Sequence, residues 1–224
     1  AYTVPISVYI SFMSTGIWTY STVFYVFILL PILDFLLGES KENFSKEDAS
    51  HQNKKWIFDI MLYFNVPIIF GLLYIVFSSF QLNDYNVFET VGLAFSTGLL
   101  LSINGINVAH ELGHRKPYYE RFLSKLLYMP CLYMHFYIEH NFGHHLHVAT
   151  PEDGATAKYN QSVYSFWFTS ATKQYLDAWQ NQKTLLQTKN SSFFSLKNDM
   201  LCYHLIHPLY LFCVYSLLSY HVLI

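Results

Sequence analysis

Charged side chains are scarce in this sequence: Asp, Glu, Lys and Arg make up 12% of 224 positions, where a soluble domain carries roughly a quarter. A water-soluble surface of ordinary composition is therefore excluded. There is no surplus of positive charge either, with 13 basic against 15 acidic residues and a net charge of −2. Nucleic-acid binding relies on a basic field, so nucleic acid is not a partner. Cysteine is nearly absent. Cys131, Cys202 and Cys213 form no CxxC pair and lie in apolar stretches, which excludes a disulfide framework and leaves them as small hydrophobes. What is abundant is apolar: 53% of residues are hydrophobic, with 19 Tyr and 20 Phe. Aromatic rings gather at lipid headgroup level or along apolar pockets, so the composition predicts a membrane protein.

A membrane-crossing helix needs about 20 mostly apolar residues. Four stretches meet this: about 17–37, 56–80, 87–109 and 200–224, the last cut off by the end of the sequence. The sequence thus predicts an all-α, multi-pass transmembrane helical bundle forming a single membrane domain over 1–224, expected to be incomplete at both ends. Asn65-Val66-Pro67 should kink the second span, because Pro removes a backbone donor and crowds the preceding turn. In the third, Gly92, Gly98 and Gly105 should permit close helix contact. All Lys and Arg fall within 41–55, 115–125 and 158–197. By the positive-inside rule the first set is cytoplasmic, which alternates the spans so that residue 110 reaches the cytoplasmic face. Residues 121–138 are apolar but short and carry Arg121, Lys125 and Pro130. They read as interfacial or re-entrant, leaving 139–199 cytoplasmic.

The chemistry is concentrated in two histidine boxes, His110-Glu111-Leu112-Gly113-His114 and Glu139-His140-Asn141-Phe142-Gly143-His144-His145. On an α-helix, positions i and i+4 share a face, so His110 with His114, and His140 with His144, can present imidazoles to a common centre. His145 lies about 100° further round from His144. That split favours two metal ions, with His110, His114, His140, His144 and His145 as ligands. Imidazole suits Zn, Cu, Fe and Ni alike, so the donors alone leave the metal open. His51, His204, His207 and His221 read as interfacial or packing residues, while His135 and His147 are close enough to the second box to orient its ligands. The first box also matches the zincin motif, with Glu111 as general base, which makes a membrane-bound zinc metalloprotease the competing reading. A zinc protease needs one more ligand and a water, not three further histidines.

The stretch Asn107 to Arg115 resembles the first box of the alkane 1-monooxygenases, and Glu139 to His145 resembles their second. Val148-Ala149-Thr150-Pro151-Glu152-Asp153-Gly154-Ala155-Thr156 is similar to the conserved continuation of that family. Leu30 to Asp34 and Ser195 to Asp199 agree as well, so the resemblance covers roughly residues 17–200. Arg115, Phe142 and Gly154 depart from it, standing where the family has Lys, a basic residue and Pro. The resemblance implies a non-haem di-iron enzyme of the bacterial inner membrane that hydroxylates the terminal carbon of alkanes with O2. It also implies electrons from a rubredoxin-type carrier docked on the basic cytoplasmic face, and substrate entering from the lipid bilayer. The five box histidines would be iron ligands, and Asn104, Asn107, Glu111, Glu139 and Asp153 would orient them. The remaining ligands are expected beyond Ile224, so that this stretch alone would be inactive. Related histidine-box hydroxylases or desaturases acting on lipids or aryl methyl groups stay open, as does a non-catalytic metal binder.

Overall fold

The computed structural model describes residues 2–38 and 56–218. The basic stretch 41–55 with His51, and the end of the fourth apolar stretch with His221, lie outside the described residues. Eight helices follow one another, and no strand occurs among the described residues: α1 (Thr3–Phe12), α2 (Gly16–Leu37), α3 (Trp56–Leu82), α4 (Val87–Gly113), α5 (Tyr118–Tyr128), α6 (beginning at His135–Glu139 and continuing to His147), α7 (Val163–Thr188) and α8 (Asp199–Leu218). Among the described residues α2, α3 and α4 are long and apolar enough to cross a membrane. In α2 only 6% of its most apolar stretch is buried, and Phe27, Phe35 and Leu37 stand exposed. A helix that bare of protein contacts needs lipid around it. α8 is shorter and carries Asp199, His204, His207 and Pro208.

The chain divides into two compact units, residues 1–108 with 214–224, and residues 109–213. In the first, small hydroxyl side chains let helices approach closely. Ser11 Oγ lies 3.1 Å from Thr22 Oγ1, and Ser96 Oγ donates to Ser11 Oγ and to the Thr19 carbonyl at 3.2 and 3.0 Å. α4 starts on a capping box, in which Asn86 accepts from the Glu89 amide while Glu89 accepts from the Asn86 amide. Such reciprocal bonds satisfy donors that a helix start leaves free. The other oxygen of Glu89 accepts from the Gly16 amide at 2.7 Å.

The expected kink in α3 is present, and it has a visible cause. The helix is interrupted at Phe64, between Trp56–Tyr63 and Asn65–Leu82, just where Pro67 cannot donate to the preceding turn. Asn65 Nδ2 donates to the Met61 carbonyl at 2.8 Å, and its Oδ1 accepts from Asn104 Nδ2 at 2.9 Å. Of the three glycines expected at helix contacts, Gly92 is pressed against Thr19 and Tyr20, whereas Gly98 has nothing within 4 Å of where a Cβ would stand.

The second unit centres on α6 packed against α7. Its core includes Leu112, Leu127, Tyr128, Ile138, Ala178 and Met200. α5 buries Glu120, Ser124, Leu127 and Tyr128, a stripe at the spacing of one helix face. Ser124 Oγ donates to the Ala109 carbonyl at 2.6 Å, tying α5 to the residue before the first box histidine.

Candidate metal centre

The imidazoles of His110, His114 and His140 converge, and His145 reaches His140 from beside them. His110 Nε2 lies 2.7 Å from His140 Nε2 and 3.1 Å from His114 Nε2, and His140 Nε2 lies 3.2 Å from His114 Nε2 and 3.1 Å from His145 Nε2. His110 and His114 sit one turn apart on the end of α4, as their spacing requires. Among the described residues, His110, His114 and His140 form a group able to hold a metal ion. An ion with metal–nitrogen bonds of about 2.0–2.1 Å holds its ligands slightly further apart than these nitrogens stand. An opening of a few tenths of an ångström therefore accommodates one.

The second box departs from plain α-helical geometry. Residues His140–His144 form a π turn, with the His145 amide reaching back to the His140 carbonyl. In this i to i+5 pattern, His145 comes round to the face of His140, so that His145 and His144 still point apart but it is His145 whose nitrogen approaches that of His140. His144 instead turns its Nδ1 to the carboxylate of Asp153, at 3.0 and 3.1 Å. Its ring stacks on His140 at 5.2 Å, and Phe136 stacks on the other side of His140 at 4.9 Å. The plane of His140 is thus clamped between two rings. Phe136 was not singled out from the sequence, although its spacing of four residues from His140 signals such a contact.

The electrostatics favour neutral, ligating imidazoles. Burial, then the neighbouring His110 and His145, pushes His140 down to about 3. Partial burial beside His114 lowers His145 as well. For Asp153, burial acts upward, but hydrogen bonds from Thr156, the Ala155 amide and His144 outweigh it and hold the carboxyl below its ordinary value. Asp153 is 5% exposed, so an anion is fixed behind His144. Such carboxylate–histidine pairs fix the tautomer and orientation of a metal ligand.

The remaining candidates divide. Glu139 is buried, its Oε2 has no hydrogen-bond partner among the described residues, and burial pushes its carboxyl up to about 7. Asn181 of α7, which sequence reasoning missed, lies over Gly143, and a Cβ at Gly143 would come within 3 Å of its Nδ2. Glycine at this position leaves room for the Asn181 amide beside the π turn. Glu111 is exposed and paired with Arg115 at 3.3 Å. Asn104 takes part in the helix–helix hydrogen bond to Asn65, and Asn107 is exposed. His135 lies against the rings of Tyr133 and Tyr175, His147 is exposed, and His204 Nε2 stands 2.7 Å from the Tyr175 hydroxyl.

Residues 86–224 match the family model described as fatty acid desaturase. The chain is 34% identical over 175 residues to alkane 1-monooxygenase 1 of Alcanivorax borkumensis, covering 77% of this chain and 43% of that one. It is 32% identical over 198 residues to alkane 1-monooxygenase of Pseudomonas putida, covering 83% and 48%. To the xylene/toluene monooxygenase hydroxylase component of Pseudomonas putida it is 26% identical over 181 residues, covering 77% and 46%. The chain spans about half the length of these curated relatives. With the histidine boxes converging as they do and more than half of its length matched, this chain belongs to the fatty acid desaturase family, and within it is similar to the alkane 1-monooxygenases.

Proposed function

We propose that the whole protein is a membrane di-iron monooxygenase converting an alkane, O2, two electrons and two protons to a primary alcohol and water. The observation that carries this reading is the convergence of imidazole nitrogens from both boxes, together with the similarity to alkane 1-monooxygenases. Iron, when bound, supplies the redox chemistry that side chains cannot. The chain's own residues bind and orient. His110, His114 and His140 offer three nitrogens to one ion, with His145 Nε2 close by at 3.1 Å from that of His140. His144, with Nδ1 committed to Asp153, is left with Nε2 as its metal-binding atom, which suits a second ion. The apolar, aromatic-rich spans suit a substrate that partitions into the bilayer and offers no polar handle. A rubredoxin-type carrier delivers electrons at the cytoplasmic face of an inner-membrane protein. Labelling of cysteines placed at Ser45 and Gln187 tests that sidedness, and label arriving from opposite sides would refute it.

The zincin reading requires Glu111 to serve as general base, yet this side chain is engaged with Arg115. In full-length protein supplied with rubredoxin, Glu111→Gln is expected to cost hydroxylation no more than about 10- to 100-fold, the penalty typical of an outer hydrogen-bonding partner. His110→Ala, His114→Ala and His144→Ala are expected to lose iron. Peptidase activity that vanishes in Glu111→Gln, or one tightly bound zinc by metal analysis with no di-iron signal by Mössbauer spectroscopy, overturns the proposal. The similarity to a xylene/toluene hydroxylase component supports a second reading, in which the substrate carries an aryl methyl group. Comparing alkane and xylene turnover separates the two.

A further inference from the structure

A cleft in the second unit, lined in part by Phe142 of the second box and Tyr137 just before it, combines cations and rings around a volume of about 530 Å3. On α5, Tyr118 and Phe122 stand one turn apart, and so do Arg121 and Lys125. Residues four apart are neighbours on a helix surface, so this face carries an aromatic ridge beside a cationic one. Across the cleft, Lys189 follows the end of α7 and Lys197 precedes α8.

The charges are unbalanced. Lys125 is neutralised by Asp199 at 2.8 Å and lies over the Tyr137 ring at 4.9 Å. Among the described residues, Arg121, Lys189 and Lys197 pair with no carboxylate, which leaves a surplus of positive charge in a concave site. Its volume lies within the range of small-ligand pockets, roughly 300–1,000 Å3. Four residues separate Tyr118 from the end of α4. In a chain that crosses the membrane through α4, this places α5 at the level of lipid headgroups, where basic pockets bind anionic lipids.

We propose that this cleft is a headgroup site for an anionic phospholipid. Its phosphate is held by Arg121, Lys189 and Lys197, and its glycerol and first acyl carbons lie against Tyr118 and Phe122. The ligand chemistry is a phosphate with an apolar remainder, because cations alone would serve free phosphate, and the exposed rings would then have no role. A recess walled by rings also suits one headgroup better than the spread carboxylates of an acidic protein. The proposal rests on the membrane-hydroxylase reading only in placing α5 at the bilayer surface.

The test uses full-length protein in detergent, with bound phosphatidylglycerol counted by native mass spectrometry. Phosphatidylcholine and inorganic phosphate serve as comparison ligands. Each cation near an anionic surface contributes enough for about a fivefold change in binding, so the K189Q/K197Q double variant should bind phosphatidylglycerol about 25-fold more weakly. K189R/K197R should retain binding, and K158Q/K183Q should leave it unchanged. Iron content and circular dichroism check that each variant is folded. Equal binding by K189Q/K197Q, or by phosphatidylcholine, overturns the proposal. So does saturation of the same residues by inorganic phosphate alone, or their protection by an acidic carrier protein with no lipid bound. Loss of alkane turnover in the parent refutes the oxygenase reading, while headgroup binding is scored separately.

Discussion

Two glycines six residues apart on α4, Gly92 and Gly98, should respond to the same substitution with opposite signs. A Cβ at Gly92 would stand 2.5 Å from Thr19 Oγ1 and 2.6 Å from two ring atoms of Tyr20. Neither neighbour can yield. Thr19 is fully buried, with Oγ1 donating to the Gly16 carbonyl at 2.8 Å and its own carbonyl accepting from Ser96. Tyr20 is held by its hydroxyl on the Phe88 carbonyl at 3.0 Å and by its ring on Phe88 at 4.8 Å. Overpacking of this kind costs about 1–3 kcal/mol, against about 0.5–1 kcal/mol gained when Ala replaces a helical Gly. Gly92→Ala should therefore destabilise by roughly 1–2 kcal/mol. At Gly98 no atom is near, so Gly98→Ala keeps only the helical gain. For a protein of this size 1 kcal/mol moves Tm by about 2–4 °C. Thermal unfolding of the purified protein in detergent should thus show one variant several degrees below the parent and the other slightly above it. Shifts of the same sign and size would refute the assignment of Gly92 to a tight helix contact.

Two further outcomes follow from the centre and its surroundings. Asp153→Asn removes the carboxylate behind His144 while leaving the cluster of His110, His114 and His140, so iron affinity should fall about 10- to 100-fold; unchanged iron retention under a chelator would exclude an orienting role. Burial, then the nearby His207 and His204, pushes His135 down to about 4. The unfolded chain takes up a proton below its ordinary 6.5, whereas the folded one does so only near 4. Stability should therefore fall as pH drops from about 6.5 to about 4, by up to roughly 3 kcal/mol. A parent whose midpoint is flat across that window, or a His135→Gln variant just as pH-sensitive, would contradict this.

Much of the protein was legible before any coordinates. The bounds of α2, α3 and α4 follow from apolar runs that must satisfy their own backbone in lipid. The break in α3 follows from Pro67, and the pairing of His110 with His114 from one turn of helix. The resemblance to the alkane 1-monooxygenases, not residue spacing, put Asp153 among the residues expected to orient the ligands. Tertiary structure decided what local periodicity cannot carry. A π turn at His140–His144, with Gly143 beneath Asn181 of α7, brings the nitrogen of His145 rather than that of His144 to His140. The i, i+4 rule assumes 3.6 residues per turn and has no means of registering one extra residue. Gly92 and Gly98 look alike in sequence, and only the position of Thr19 and Tyr20 separates them. The hydrogen bond from Asn104 to Asn65, 39 residues away, is likewise invisible to spacing within one helix. Contacts over such separations depend on how helices pack, which sequence spacing within one helix does not encode.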